Sequence, residues 1–167
     1  WLQTVGQTVT VSGATTGSAT FTAPGPTVGQ VGPTQPLAFQ LTARDDATFR
    51  TDTASLTVAI RNKPPTVDAG ADQHVAEGAT VSLAGSATDP EALPVGYAWT
   101  QVANGAPAVT LIDPTGATPT FVAPDVGPGG GPSTVTVRLQ LVANDTEPPG
   151  YCGGNAMAID TIDVIVD

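Results

Sequence analysis

Few side chains in this 167-residue sequence can do chemistry, and their spacing narrows the choice further. Asp89, in "ATDPEALP", and Asp145, closing "VAND", both stand where apolar segments end. Carboxylates so placed can offer hard oxygens to a divalent cation, or cap turns by accepting backbone N–H groups. Asp45 and Asp46 are adjacent, and neighbours on a strand point to opposite faces, so a turn role is expected rather than an acid/base pair. The single histidine, His74, falls in a segment that reads as an edge strand, with no Ser and Asp around it to suggest a triad. A solvated side chain is the expectation there, and no catalytic residue is assigned anywhere in the chain. The single cysteine, Cys152, beside Tyr151 in "GYCGGN", has no internal disulfide partner. It reads as an unpaired loop thiol or as an intermolecular contact together with Tyr151. One Cys and one His do not make a structural zinc site. "GPGGGP" (127–132) lacks the Gly-Lys-Ser/Thr ending and following helix of a phosphate cradle, so a hairpin loop is expected. "NDT" (144–146) fits a glycosylation sequon, a pattern short enough to arise by chance.

The elements that must position these residues follow from composition. Fifteen acidic residues face five basic ones, the formal net charge is −10, and Lys63 is the only lysine. Nucleic acid and anionic membrane surfaces are therefore excluded as partners, since both need basic patches. No run reaches the roughly 18 apolar residues of a membrane-spanning helix, so no membrane insertion is expected in this segment. Gly (19) and Pro (16) are abundant while Val, Ile, Leu and Phe stay regularly spaced, which is the pattern of many turns between short strands.

An internal repeat organises the chain. "WLQT" at residue 1 matches "WTQV" at residue 99, an offset of 98. "ATFTAP" (19–24) matches "PTFVAP" (119–124), and "LAFQLTARDD" (37–46) matches "VRLQLVANDT" (137–146), both at an offset of 100. "SLTVAI" (55–60) matches "TIDVIV" (161–166) at 106, the extra residues falling around "EPPGYCGG". Residues 1–61 thus read as the carboxy-terminal portion of a module, 62–66 as a proline linker, and 67–167 as a complete module. Residues 64–98 have no counterpart, so the first module is expected to be incomplete in this chain. On this reading Trp1 is the middle of a module, its front cut off or supplied by a partner chain.

Periodicity gives the strands. Val75, and then Val81 with Leu83, flank a turn at Glu77-Gly78. Tyr97 and Trp99 share one face, Val109 and Leu111 point inward from "AVTLI", and Phe121 centres "TPTFVAP". Val135, Val137, Leu139, Leu141 and Ala143 alternate inward, as do Ile162, Val164 and Val166, with Thr136, Arg138 and Gln140 outward. About seven short strands per 100 residues around a central Trp predict an all-β fold of tandem immunoglobulin-like β-sandwiches. "RNKPPT" makes the joint short and stiff, because proline fixes φ and lacks an N–H.

"NKPPTVDAGADQHVAEGATVSLAGSATDPEALPVGYAWTQ" (62–101), closed by "LQLVAND" and "DVIV", resembles the PKD (polycystic kidney disease) domain family over nearly the whole chain. The shared features are Pro and Ala-Gly at the first strand, Gly before "V-x-L-x-G", Asp-Pro-Glu, Tyr-x-Trp, and the acidic end of the penultimate strand. Trp-Thr-Gln replaces the Trp-Asp-Phe-Gly-Asp-Gly of many members and resembles a subgroup common in large bacterial surface proteins. The loop with Cys152 is a second departure. Some PKD domains of secreted bacterial enzymes bind calcium at the pole where the chain enters. The resemblance therefore implies a Ca²⁺ site from Asn62, the Lys63 carbonyl, Asp89, Glu91 and Asp145, with turn capping by the two aspartates as the alternative. Asp45 and Asp46 match Asp145, but their partners would lie in the missing front.

The expected function is a non-catalytic structural or adhesive module of a bacterial cell-surface or secreted protein. Its partners would be neighbouring modules of the same or an identical chain, or a cell-surface protein or polysaccharide. A filament subunit completed by strands from a neighbour is one alternative. An accessory substrate-binding domain of a secreted hydrolase, with Phe49 and Tyr151 exposed, is another.

Overall fold

The structure, a computed structural model, describes residues 1–25, 35–126, 134–145 and 156–167. Among them are eleven strands and no helix. They separate into two compact units, Trp1–Asn62 and the described residues from Lys63 onward. The fold is all-β, as the spacing of apolar residues predicts.

The first unit is a three-stranded antiparallel sheet of β1 (Leu2–Val5), β2 (Gln35–Arg44) and β3 (Thr51–Ile60), with β2 in the middle. Leu37 and Phe39 are buried on β2, and the Phe21 ring lies 4.8 Å from that of Phe39. The β2–β3 turn is held by Asp45, whose Oδ1 accepts the N–H groups of Ala47 (2.8 Å) and Thr48 (3.1 Å). These bonds favour the charged carboxylate, the Thr48 bond most, and hold Asp45 below the ordinary carboxylate range.

The second unit contains β4 (Thr66–Asp68), β5 (Gln73–Val75), β6 (Thr80–Ser82), β7 (Ser86–Thr88), β8 (Val95–Gln101), β9 (Thr120–Val122), β10 (Val135–Asp145) and β11 (Met157–Val166). One layer is the sheet β5-β11-β10-β8, in which β5 is an edge strand parallel to β11 and carries the exposed His74. The other layer is built from the pairs β4-β7 and β6-β9. Residues 80–88 carry both pairs. Between β6 and β7 the Leu83 and Gly85 N–H groups donate to the carbonyls of Pro119 and Ala117, so this stretch is tied to the 117–122 segment throughout. Val81, Leu83 and Phe121 from this layer meet Trp99, Val137, Leu139, Leu141, Ile162, Val164 and Val166 from the other in a single buried cluster. The inward alternation expected for β10 and β11 is present at each of these positions. "AVTLI" departs from expectation. Val109 and Leu111 pack on the core but lie outside any strand, because the Val109 N–H is taken by the Gln101 side chain (2.9 Å) rather than by a ladder.

Arg138 faces Asp163 across β10–β11 and binds it through two bonds of 2.7 Å. The guanidinium hydrogen bond lowers the Asp163 pKa. The carboxylate is thus easier to ionise folded than unfolded, so its contribution to stability is present at neutral pH. It is lost as pH falls below the ordinary Asp range and through the folded value.

Gly85 is required by close approach rather than by φ. A Cβ there would lie 2.6 Å from Trp99 Cζ2 and 2.8 Å from Leu141 Cδ2. Gly85→Ala is expected to cost about 1–3 kcal/mol by overpacking. Urea unfolding of the variant checks this, and an unchanged midpoint would mean that the indole can shift freely.

The internal repeat recurs bond by bond inside each unit. Gln101 pairs with Leu139 across β8–β10, and Gln3 with Phe39 across β1–β2. Gln101 donates to the Pro107 carbonyl (2.8 Å) and accepts from Val109 N–H (2.9 Å). Gln3 donates to the Gln7 carbonyl (2.6 Å) and accepts from Val9 N–H (2.9 Å). The bridges Ile112↔Thr120 and Ser12↔Thr20 match, as do the pairs Leu139↔Ile162 and Phe39↔Leu56.

Candidate functional site

Strand register gathers the sequence-derived site at one pole of the second unit. Thr66, where β4 begins, pairs with Thr88, where β7 ends, and their hydroxyls lie 2.8 Å apart. Val95, where β8 begins, pairs with Asp145, where β10 ends. Lys63, Asp89, Glu91 and Asp145 therefore belong to segments that meet where the chain enters this unit. Asn62 is the last residue of the first unit.

Asp89 opens a turn. Its Oδ1 accepts the N–H groups of Glu91 (2.9 Å) and Leu93 (3.0 Å), and its carbonyl accepts that of Ala92 (3.1 Å). Ala92 has φ of 60°, a left-handed conformation that costs an L-residue about 1 kcal/mol, and these three bonds hold it there. The other Asp89 oxygen, Oδ2, is buried and accepts no hydrogen bond among the described residues. Glu91 is turned toward the entering chain, where its Oε2 accepts the Lys63 N–H at 3.3 Å. Asp145 is fully buried, its Oδ1 accepting the Ala156 N–H at 2.9 Å. Its own N–H donates to the Ala156 carbonyl at 3.2 Å, as that of Asp45 does to Arg50 in the first unit.

The aspartates thus perform turn and strand-end capping. Among the described residues no group of three His, Cys, Asp or Glu side chains is gathered to hold a metal ion. The donors at the pole are nonetheless all hard oxygens, and Asp89 Oδ2 is an unsatisfied buried acceptor, so the chemistry, though not a three-carboxylate cluster, suits calcium. Tyr151, Cys152, "GPGGGP" and Thr146 of the sequon lie outside the described residues.

Sequence reasoning passed over two features. The first is the Gln3 and Gln101 clamps described above; their signal was the Gln two residues after each repeated Trp. The second is the backbone conformation and the Arg44 contact of Phe49, expected to be exposed, at the tip of the β2–β3 turn. There Phe49 is 69% exposed with φ of 59°, and the Arg44 guanidinium sits 4.7 Å from its ring centroid. Nothing in the sequence marks that φ.

The second unit is an immunoglobulin-like β-sandwich by its layers and its central Trp. More narrowly, the family model described as K319L-like, PKD domain matches residues 69–145, so this part of the chain is a PKD-type domain. No curated protein matches the sequence. Similar solved structures include Drosophila N-cadherin EC1-4, at 13% identity and TM-score 0.48, over 83% of this chain and 34% of that one. Mouse clustered PcdhgC3 EC1-3 is similar at 18% identity and TM-score 0.38, over 83% and 44%. The tandem Ig repeats of Dlar are similar at 13% identity and TM-score 0.35, over 81% and 63%. The chain spans less than two thirds of each of these structures.

Proposed function

We propose that the chain is a non-catalytic structural or adhesive segment of an extracellular protein, working as modules in series. One observation carries this reading: the chain enters and leaves the second unit at opposite poles. It enters beside Asp89 and Asp145 and leaves at Val166, which pairs with Val135 and Val75 at the far end of β10 and β11. A load applied at the two ends of this unit then runs along the parallel pair β5–β11. Its hydrogen bonds lie across the pull and must break together rather than one after another. The PKD-type fold supports an extracellular setting, and among the described residues no helix is long and apolar enough to cross a membrane. A bacterial surface or secreted parent fits the Trp-Thr-Gln form of the motif. Force spectroscopy on the full chain held at its two ends tests the reading. A discrete unfolding peak from the second unit is expected, reduced by Val75→Pro, which removes from β5 an N–H on the side facing β11, where the Val75 carbonyl accepts the Asp167 N–H. Extension without a peak would contradict a load-bearing role.

A second reading adds calcium as the partner of the entrance pole, with Asp89 and Asp145 as the anionic oxygens and the Lys63 carbonyl contributing to the shell. The buried, unsatisfied Asp89 Oδ2 favours it. If calcium binds there, thermal melts at millimolar Ca²⁺ will exceed those in EDTA by several degrees, because a ligand selective for the folded state stabilises it. Asp89→Asn should abolish the difference. Identical melts with and without the ion leave capping as the whole role of Asp89. The filament and hydrolase-accessory readings require, respectively, another chain on the first unit and a saccharide on exposed Phe49.

A further inference from the structure

The two units differ at one place where the repeat says that they should agree. In the second unit Leu141, Ala143 and Ile162 form one end of the sheet face and are at most 1% exposed. They are covered by β4, whose Val67 packs on this cluster and whose neighbour Ala69 donates its N–H to Asp160 Oδ2 at 2.8 Å. The equivalent positions in the first unit are Leu41, Ala43 and Leu56. Leu41 is half-buried, Ala43 is exposed, and Leu56 is 51% exposed. The edges differ in the same way. β11 pairs on its outer side with β5, whereas β3 is an edge with no outer strand among the described residues. An uncovered apolar face beside an open strand edge is a template for β-pairing.

We propose that this face is a docking surface for a β-segment of the kind formed by residues 64–88, presented from the amino-terminal side of β1. The proposal rests on the module reading above. Three observations fix the occupant. The face is the counterpart of one that this chain covers with β4 and its partner β7. The free edge of β3 corresponds to the edge of β11 that takes a parallel strand. The Trp99 N–H donates to the Pro114 carbonyl, and the Trp1 nitrogen donates to the equivalent carbonyl of Ala14. The amino end of β1 is therefore placed as β8 is placed where residues 89–98 lead into it. The occupant is uncharged on its inner side, alternating as Val67 and Ala69, then Val81, Leu83 and Ala87. A second copy of the chain is the rival occupant.

The test extends the full chain with a further copy of residues 64–98 placed directly ahead of Trp1. Amide hydrogen exchange at residues 54–58 is compared between the extended and unextended chains, with β10 as the control for folding. Docking is expected to raise protection of these amides by ~100-fold or more, as they pass from a local-opening to a global-opening regime. Leu56→Asp in the extended chain should remove the gain while leaving β10 protected. Equal or lower protection of β3 in the extended chain overturns the proposal. So does a concentration-dependent dimer that is lost with Leu56→Asp yet persists in the extended chain, which would make a second copy the occupant. The force peak of the second unit is independent of either result, so failure here leaves the module reading to be judged on its own test.

Discussion

Trp99→Ala is expected to destabilise the second unit by about 3–5 kcal/mol, the range for removing a large aromatic from a packed core. Trp99 is buried between the two layers, and it approaches Gly85 so closely that no Cβ fits there. Immunoglobulin-like domains of antibodies set their Trp against an inter-sheet disulfide; here Leu83, Leu141 and Phe121 of the aliphatic and aromatic cluster take that place. The indole Nε1 makes no hydrogen bond among the described residues, so the loss is one of packing and apolar burial rather than of a polar contact. Trp99→Phe should accordingly recover much of the stability, because it restores apolar volume without needing a donor. Urea unfolding monitored by exchange at β10 separates this unit from the first. A loss below about 1 kcal/mol would mean that the sandwich closes over the cavity. Trp1→Ala should matter less, since Trp1 is only half-buried and the layer that covers Trp99 has no counterpart around it among the described residues.

The architecture was legible where one physical rule decided the pattern. β10 and β11 alternate strictly because one face is buried against Val81, Leu83 and Phe121, so periodicity alone located Val137, Leu139, Leu141, Ile162, Val164 and Val166. The repeat was legible because the same Gln makes the same pair of bonds in both units. Side-chain competition for backbone groups was not legible. Gln101 takes the Val109 N–H and so keeps Val109 out of a ladder, leaving Ile112 of "AVTLI" in an isolated bridge to Thr120, and an apolar run carries no sign of that. At the entrance pole the sequence placed carboxylates at turns and strand ends without saying how each is spent. Asp89 Oδ1 is consumed by its own turn and Glu91 by the Lys63 N–H, choices fixed by turn geometry that a motif does not encode. The carboxylates of the pole were therefore readable, and their hydrogen-bond partners were not.

The sharpest consequence of the repeat is that one kind of truncation, made twice, should give two different results. Ile162 and Leu56 occupy equivalent places, opposite Leu139 and Phe39 in antiparallel ladders of the same register. Ile162 is 1% exposed and Leu56 is 51% exposed. Ile162→Ala is expected to cost about 2–5 kcal/mol, because it removes buried methyl groups and leaves a cavity under β4 that the neighbouring Val67 and Leu141 cannot fill. Leu56→Ala removes surface that water already reaches, so its cost should stay within about 0.5 kcal/mol. Both variants are measured by urea unfolding with exchange at β10 and β3 as separate reporters. If Leu56→Ala proves as costly as Ile162→Ala, something already covers that face in solution, and the concentration dependence of the loss tells whether it is a second copy. If both are cheap, burial of Ile162 does not control stability and the sandwich is held elsewhere. The expected asymmetry follows from burial, since the ladder register corresponds at the two positions.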